Sequence, residues 1–116
     1  MADTQQRPGG NRALFSLVRG MRMFYRSPDL IVATDYFVIL RPARVEYRID
    51  FLEKVYVLEH PRVGRTRAAQ EIRAQYGLHD VRLFHSSDPR TFGQVRRALI
   101  RALEWRERER RRYAAL

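Results

Sequence analysis

Three histidines are the only side chains in this sequence suited to soft metal ligation, and we first asked whether their spacing supports it. His60, His79 and His85 show no pair four residues apart, the spacing with which a helix presents two histidines to zinc. His85 begins the run HSSD, but a Ser–His–Asp triad is defined by geometry across a fold. Ser87 and Asp88 are better interpreted as the cap of a following helix. We expect ordinary surface histidines.

Other kinds of chemistry are excluded by composition and spacing. The chain has no cysteine, which excludes disulfides, thiolate nucleophiles and thiolate metal sites. None of its six glycines stands in a GxGxxG or GxxxxGK phosphate-binding pattern. Asp50 and Glu53 flank the start of a predicted strand, where turn formation explains them. The sequence therefore predicts a protein that is not an enzyme and carries no cofactor or metal.

Arginine dominates the charge of the chain. The net charge is +10, and Lys54 is the only lysine among 23 basic residues. Residues 61–116 hold fourteen basic and six acidic groups, whereas residues 1–60 hold nine and seven. The positive field of the second half favours polyanions or acidic surfaces as partners.

Two clusters in that second half are candidate contacts for a polyanion or a partner. One lies in the loop HPRVGRTR and the other on the last predicted helix: Arg62, Arg65 and Arg67; Arg97, Arg101, Trp105, Arg108 and Arg112. The four helical arginines fall within about 60° of one another, nearly opposite the apolar stripe of that helix. Arg101 precedes Trp105 by one turn, which predicts a cation–π contact.

The alternative interpretation is that the arginines only solvate a helix end. Glu104 with Arg108, and Glu107 with Arg111, are i,i+4 pairs in the favourable order. Arginines also suit the carboxyl end of a helix because of its dipole. Charge runs solvate more often than they bind, and both interpretations stay open.

The elements that position these residues begin with a disordered leader over residues 1–10. The run NRALFSLVRG then predicts a short helix, with Asn11 as its cap and Gly20 at its end. Its apolar face holds four residues: Leu14, Leu17, Val18 and Met21.

Short runs rich in β-branched and aromatic residues follow, and they predict an antiparallel meander. The runs are MRMFY, LIVAT, YFVIL, VEYRI and KVYVLEH, separated by SPD, Asp35, RPAR and DFLE.

Residues 68–76 fit either a helix or a strand. RAAQEIRAQY has a helical composition, but a hairpin also fits, with Ile72, Ala74 and Tyr76 on one face, GLHD as a four-residue loop and VRLFH returning. Periodicity does not decide a segment of this length. We favour the hairpin, because VRLFH needs a strand to pair with.

The last helix has the clearest pattern. Asp88 caps it, Pro89 occupies its first position, and it runs to about Arg112. Its apolar stripe consists of Phe92, Val95, Ala98, Leu99, Ala102 and Leu103. The next positions on the stripe are Arg106 and Arg110. The pattern therefore predicts a helix docked up to about Trp105, followed by an undocked basic extension over residues 106–116.

Two segments carry a resemblance to known domains. FYRSPDLIVATDYFVILRPARVEYRIDFLEKVYVLEH resembles the opening strands of bacterial pleckstrin-homology-like domains. Together with EIRAQYGLHDVRLFHSSDPRTFGQVRRALIRALE, it is similar to a family of small uncharacterised bacterial proteins, a domain of unknown function, over roughly residues 23–104. FGQVRRALIRALE is the most specific part. Family members typically place two membrane-spanning helices where this chain has HPRVGRTRAA.

The resemblance implies a β-rich module capped by one helix, provides no catalytic residues, and supports the hairpin. We expect one α+β domain over residues 11–105, with a bent antiparallel sheet of about six or seven strands and a C-terminal amphipathic helix. YFVIL, the longest apolar run, is far shorter than the ~20 residues of a membrane span, and the amino terminus lacks a signal sequence. The sequence predicts a cytoplasmic interaction module whose partner is a protein in preference to an anionic membrane. The alternative is non-specific nucleic-acid binding.

Overall fold

Seven strands and one long helix make up residues 20–115, the part of the chain that the computed structural model describes. The strands are β1 (Met23–Arg26), β2 (Leu30–Ala33), β3 (Tyr36–Ile39), β4 (Val45–Arg48), β5 (Leu52–His60), β6 (Ala69–Tyr76) and β7 (His79–Ser86); the helix is α1 (Pro89–Ala115). The predicted leader over residues 1–10 lies outside the described residues. So does the predicted helix that follows it, except for Gly20 at its end.

The strands form two antiparallel sheets, β1-β2-β3-β4 and β5-β6-β7. The α+β class, the antiparallel strands and the C-terminal helix are confirmed, but the single bent sheet that we expected is divided in two. A 3-10 turn at Ile49–Phe51 separates β4 from β5 and buries Ile49. This turn redirects the chain, so that β4 ends the first sheet and β5 begins the second.

The hairpin interpretation of residues 68–86 is confirmed, but with a shorter loop. Tyr76 pairs with His79 and Gln75 with Asp80, which leaves Gly77 and Leu78 as a two-residue loop in place of GLHD. Gly77 has a φ of 63°, and two-residue hairpin loops need a positive φ that glycine adopts without strain. The second loop residue, Leu78, is 94% exposed at the tip of this hairpin.

Helix α1 begins where the sequence predicts. The Asp88 carboxylate accepts the backbone N–H of Arg90 at 3.1 Å and the hydroxyl of Thr91 at 2.7 Å. The stripe is buried from Phe92 to Ala102 and packs against residues of both sheets. Among the described residues, no helix has the length and hydropathy needed to cross a membrane.

Strand β2 is buried on both faces. Leu30 and Val32 join the core beneath α1. Ile31 and Ala33 belong with Val38 to a second, smaller cluster. Alternate residues of a strand point to opposite faces, so this second cluster lies on the face of the first sheet turned away from the main core.

The core stripe of α1 makes a direct stability prediction. Leu99→Ala should lower the free energy of unfolding by about 2–5 kcal/mol, because Leu99 is fully buried and its truncation leaves a cavity. Ile100, the next residue, is 43% exposed, and Ile100→Ala should cost at most about 0.5 kcal/mol. Urea unfolding followed by circular dichroism measures both, and equal losses would contradict this placement of the helix.

Candidate functional site

Arginine side chains on α1 hold the helix to the sheets beyond the end of its apolar stripe. Arg106 donates from Nε and Nη2 to the two carboxylate oxygens of Asp50, at 2.7 and 2.6 Å, and from Nη1 to Asp35 at 2.9 Å. Arg110 donates to the backbone carbonyl of Asp50 at 3.3 Å. The basic extension that we expected to be undocked after Trp105 is therefore docked at its start. The carboxylates of Asp35 and Asp50, each in a turn, bind the arginine that follows the apolar stripe.

The Arg106–Asp50 pair keeps both of its members ionised. The hydrogen bond from Arg106 lowers the pKa of Asp50 below its ordinary value of 3.8, although partial burial works in the opposite direction. The same hydrogen bond raises the pKa of Arg106. A carboxylate that stays charged at neutral pH and is already bonded in this way supports the fold and is poorly suited to general acid catalysis.

The last turns of α1 carry ion pairs within the helix. Arg110 and Arg111 both contact Glu107 at 3.3 Å, and Arg112 contacts Glu109 at 3.6 Å. These pairs are exposed, and such contacts contribute little to stability. The predicted Glu107–Arg111 pair is thus present.

Three of the four predicted helical arginines lie before these last turns and have no carboxylate partner among the described residues. Arg97, Arg101 and Arg108 all face solvent, and the structure gives none of the three a carboxylate within ion-pair distance in residues 20–115. The predicted Glu104–Arg108 pair is accordingly not formed. Because α1 begins at Pro89, Arg90 falls on the same helical face, seven residues before Arg97. Arg90 was not among the predicted residues, although this spacing could have indicated it.

Trp105 contacts two guanidinium groups, but not that of Arg101. Arg22 lies 5.7 Å and Arg108 5.9 Å from the indole centroid, and Arg22 also lies 5.4 Å from the ring of Phe24. The predicted Arg101–Trp105 contact is therefore replaced by one within the helix and one from the residue just before β1. No local pattern in the sequence could indicate the second, because it depends on how α1 packs over the first sheet.

The loop cluster forms a separate exposed tip. Val63 and Thr66 pair as an isolated bridge between β5 and β6, and this places Arg62, Arg65 and Arg67 on a small turn. All three are exposed.

The base of this loop adjoins the start of α1. Pro61, Ala68 and Pro89 help to line one cleft of about 470 Å³. Trp105 is sixteen residues along the helix from Pro89, which corresponds to about 24 Å. The loop cluster is therefore near the opposite end of α1 from Trp105 and Arg108.

A chain of polar side chains crosses the second sheet and was not predicted. His60 Nε2 lies 2.8 Å from Glu71, Arg73 bonds Glu71 at 3.0 Å and Asp80 at 3.1 Å, and the hydroxyl of Tyr56 donates to Asp80 at 2.6 Å. The hydrogen bond with His60 lowers the pKa of Glu71, against the effect of its burial. The strand register brings these groups together, and their mutual bonds indicate a role in fixing the sheet.

Neither metal ligation nor known relatives assign a function. Within residues 20–115, no three His, Asp or Glu side chains are placed to hold a metal ion. No protein-family model, curated protein or solved structure matches the chain. Function must therefore be inferred from the surfaces of the molecule itself.

The Arg106–Asp50 contact predicts how stability depends on pH. Arg106→Gln should lower the free energy of unfolding at pH 7 by roughly 1–3 kcal/mol, the scale of hydrogen bonds between charged groups. Because the pKa of Asp50 is lowered on folding, its contribution is complete above about pH 4, near the unfolded pKa. It is lost as the pH falls through the folded pKa.

Urea unfolding of wild type and variant from pH 7 down to pH 2.5 tests this. The difference in free energy of unfolding between wild type and Arg106→Gln should become smaller as the pH falls. Arg111→Gln removes an exposed pair on the same helix and serves as the matched control. A difference that is constant with pH would show that the Asp50 contact is not its source.

Proposed function

We propose that the protein is a non-catalytic interaction module that binds an extended segment of a partner protein along the free edge of β5. The observation that carries this proposal is the length and exposure of that edge. β5 has nine residues and lies at the edge of the second sheet, paired on one side with β6 and with no described strand on the other. The other edge of the second sheet, β7, has eight residues, and the edge strands of the first sheet, β1 and β4, have four each. β5 is the more exposed of the two long edges, with six exposed residues of nine against four of eight in β7.

A long free edge presents a row of backbone donors and acceptors. Proteins usually protect such edges by keeping them short or covering them, because another strand can pair there. Partners that bind in this way gain affinity from main-chain hydrogen bonds and specificity from alternate side chains. The short edges of the first sheet fit the protective pattern. β5 has a bulge between Glu53 and Tyr56, and its regular part, residues 56–60, is the stretch that can accept a partner strand.

Side chains beside β5 offer a place for such specificity. Tyr56 and Leu58 are each 39% exposed. Next to them, Lys54, Leu78 and Asp80 help to line a cleft of about 370 Å³. This arrangement suits a partner segment that presents an apolar side chain with polar groups on either side.

The strand composition supports a pleckstrin-homology-like arrangement as part of the same proposal. Seven antiparallel strands with a C-terminal helix packed against them agree with the β-rich module capped by one helix that the sequence resemblance implies. A fold does not determine a ligand, so the choice of a protein partner rests on β5 and not on this likeness.

Selection from a displayed library of random linear peptides tests the proposal. Selected peptides should bind the wild-type protein and lose affinity at least tenfold in Leu58→Glu, because a charge then faces the apolar anchor of the peptide. Val63→Glu introduces the same charge at a 70% exposed position in the β5–β6 loop and should leave affinity unchanged. Hydrogen exchange should show new protection of β5 amides on binding. Peptides that bind without protecting β5, or that lose affinity equally in both variants, would overturn the proposal.

A further inference from the structure

We infer that α1 carries a binding site for the phosphate backbone of nucleic acid, on a surface separate from β5. The site is the arginine row, which we define as Arg90, Arg97, Arg101, Arg108 and Arg112. It goes beyond the proposed function, because it concerns another element and another class of ligand.

The arginine row is straight. Its members follow one another at intervals of seven, four, seven and four residues, which keeps all five within about 60° around the helix. At about 1.5 Å per residue, the row extends for about 33 Å. Phosphates of a nucleic-acid strand are likewise arranged in a line, at about 3.4 Å of axial rise each in a duplex. A linear array of cations is complementary to this linear array of anions.

Most of the arginine row is available to a ligand. Arg90, Arg97, Arg101 and Arg108 are exposed, and the structure shows no ion pair for them with any carboxylate of residues 20–115. Within residues 20–115, Arg112 alone in the row has an ion-pair partner, Glu109 at 3.6 Å. Glu104 is the one carboxylate on this face of α1, so five positive charges stand against one negative charge. The four arginines that are unpaired within residues 20–115 can therefore bind phosphates without first breaking an ion pair there.

Trp105 adds a positioning element between Arg101 and Arg108 of the row. Its ring contacts Arg108 from the row and Arg22 from outside the helix. Cation–π contacts restrict the two guanidinium groups before a ligand arrives, so less side-chain entropy is lost on binding. Arg22 thereby extends the positive surface from α1 towards β1.

The burial of the apolar face of α1 removes membrane insertion as a way of binding through the arginine row. A helix that lies in a bilayer interface inserts its apolar face between the lipids. In this protein that face, from Phe92 to Ala102, is buried in the core. Phosphates in solution can be reached by the arginines alone, without any insertion.

Two triple variants of equal charge test the site. Arg97→Gln/Arg101→Gln/Arg108→Gln removes three charges from the row, and Arg62→Gln/Arg65→Gln/Arg67→Gln removes three from the loop; each changes the net charge from +10 to +7. Binding to fluorescein-labelled random-sequence DNA, single- and double-stranded, is measured by anisotropy over a range of salt concentrations. Circular dichroism melts confirm that each variant folds.

The row variant should bind at least tenfold more weakly at low salt. Its slope of log K against log salt should be smaller by about three, because each phosphate contact contributes about one. The loop variant should keep the wild-type slope. Equal losses in the two variants would show attraction by net charge alone and overturn the site. Binding to phosphatidylserine vesicles without binding to either oligonucleotide would also overturn it.

Trp105→Leu tests the positioning role. Affinity should fall while the salt slope stays at the wild-type value, because the cations remain but are no longer restricted. An unchanged affinity would remove Trp105 from the site. Leu58→Glu should bind nucleic acid like the wild type, so failure of the arginine row and failure of peptide binding at β5 can be told apart.

Discussion

Arg106 connects the C-terminal helix to two turns of the β structure, and this contact continues the docking of the helix past the end of its apolar stripe. Its guanidinium reaches Asp35, between β2 and β3, and Asp50, in the 3-10 turn between the two sheets. A planar guanidinium bonded to a carboxylate through two nitrogens fixes orientation as well as distance. Trp105 directly precedes Arg106, and its ring lies 5.7 Å from Arg22 at the edge of the first sheet.

The partial burial of this contact explains why its carboxylate must stay bonded. The side chains of Arg106 and Asp50 are 25% and 22% exposed, so each has lost part of its hydration. Two hydrogen bonds from Arg106, and the positive charge of Arg110 at 3.6 Å, offset that loss. The buried neighbour Ile49 places Asp50 against the helix, which links apolar packing and charge pairing at one turn.

The arginines of the second half have different physical roles, although they look alike in the sequence. Arg106 and Arg110 attach the helix to the sheets, and Arg111 and Arg112 pair with glutamates in solvent. The arginine row, which includes Arg112, forms the surface that we assign to nucleic acid. That surface and the edge of β5 share no residue, so a change in one need not alter the other.

The sequence alone determined the elements whose signals are local. Alternating apolar residues indicated the strands, Asp88 and Pro89 indicated the start of α1, and the stripe predicted its buried face. These signals act between residues a few positions apart, so a chain without a tertiary structure already contains them. The same helical spacing predicted that Arg97, Arg101 and Arg108 share an exposed face.

Tertiary structure decided what depends on distant residues. Asp50 and Asp35 lie 56 and 71 positions from Arg106, and no periodicity records their approach. The division into two sheets follows from the turn at Ile49–Phe51, and the partner of Trp105 follows from packing over β1. The local sequence pattern is the same whether an arginine at the end of an apolar stripe faces solvent or bonds to the sheets. Only the fold, by bringing two carboxylates to Arg106, made it an attachment point.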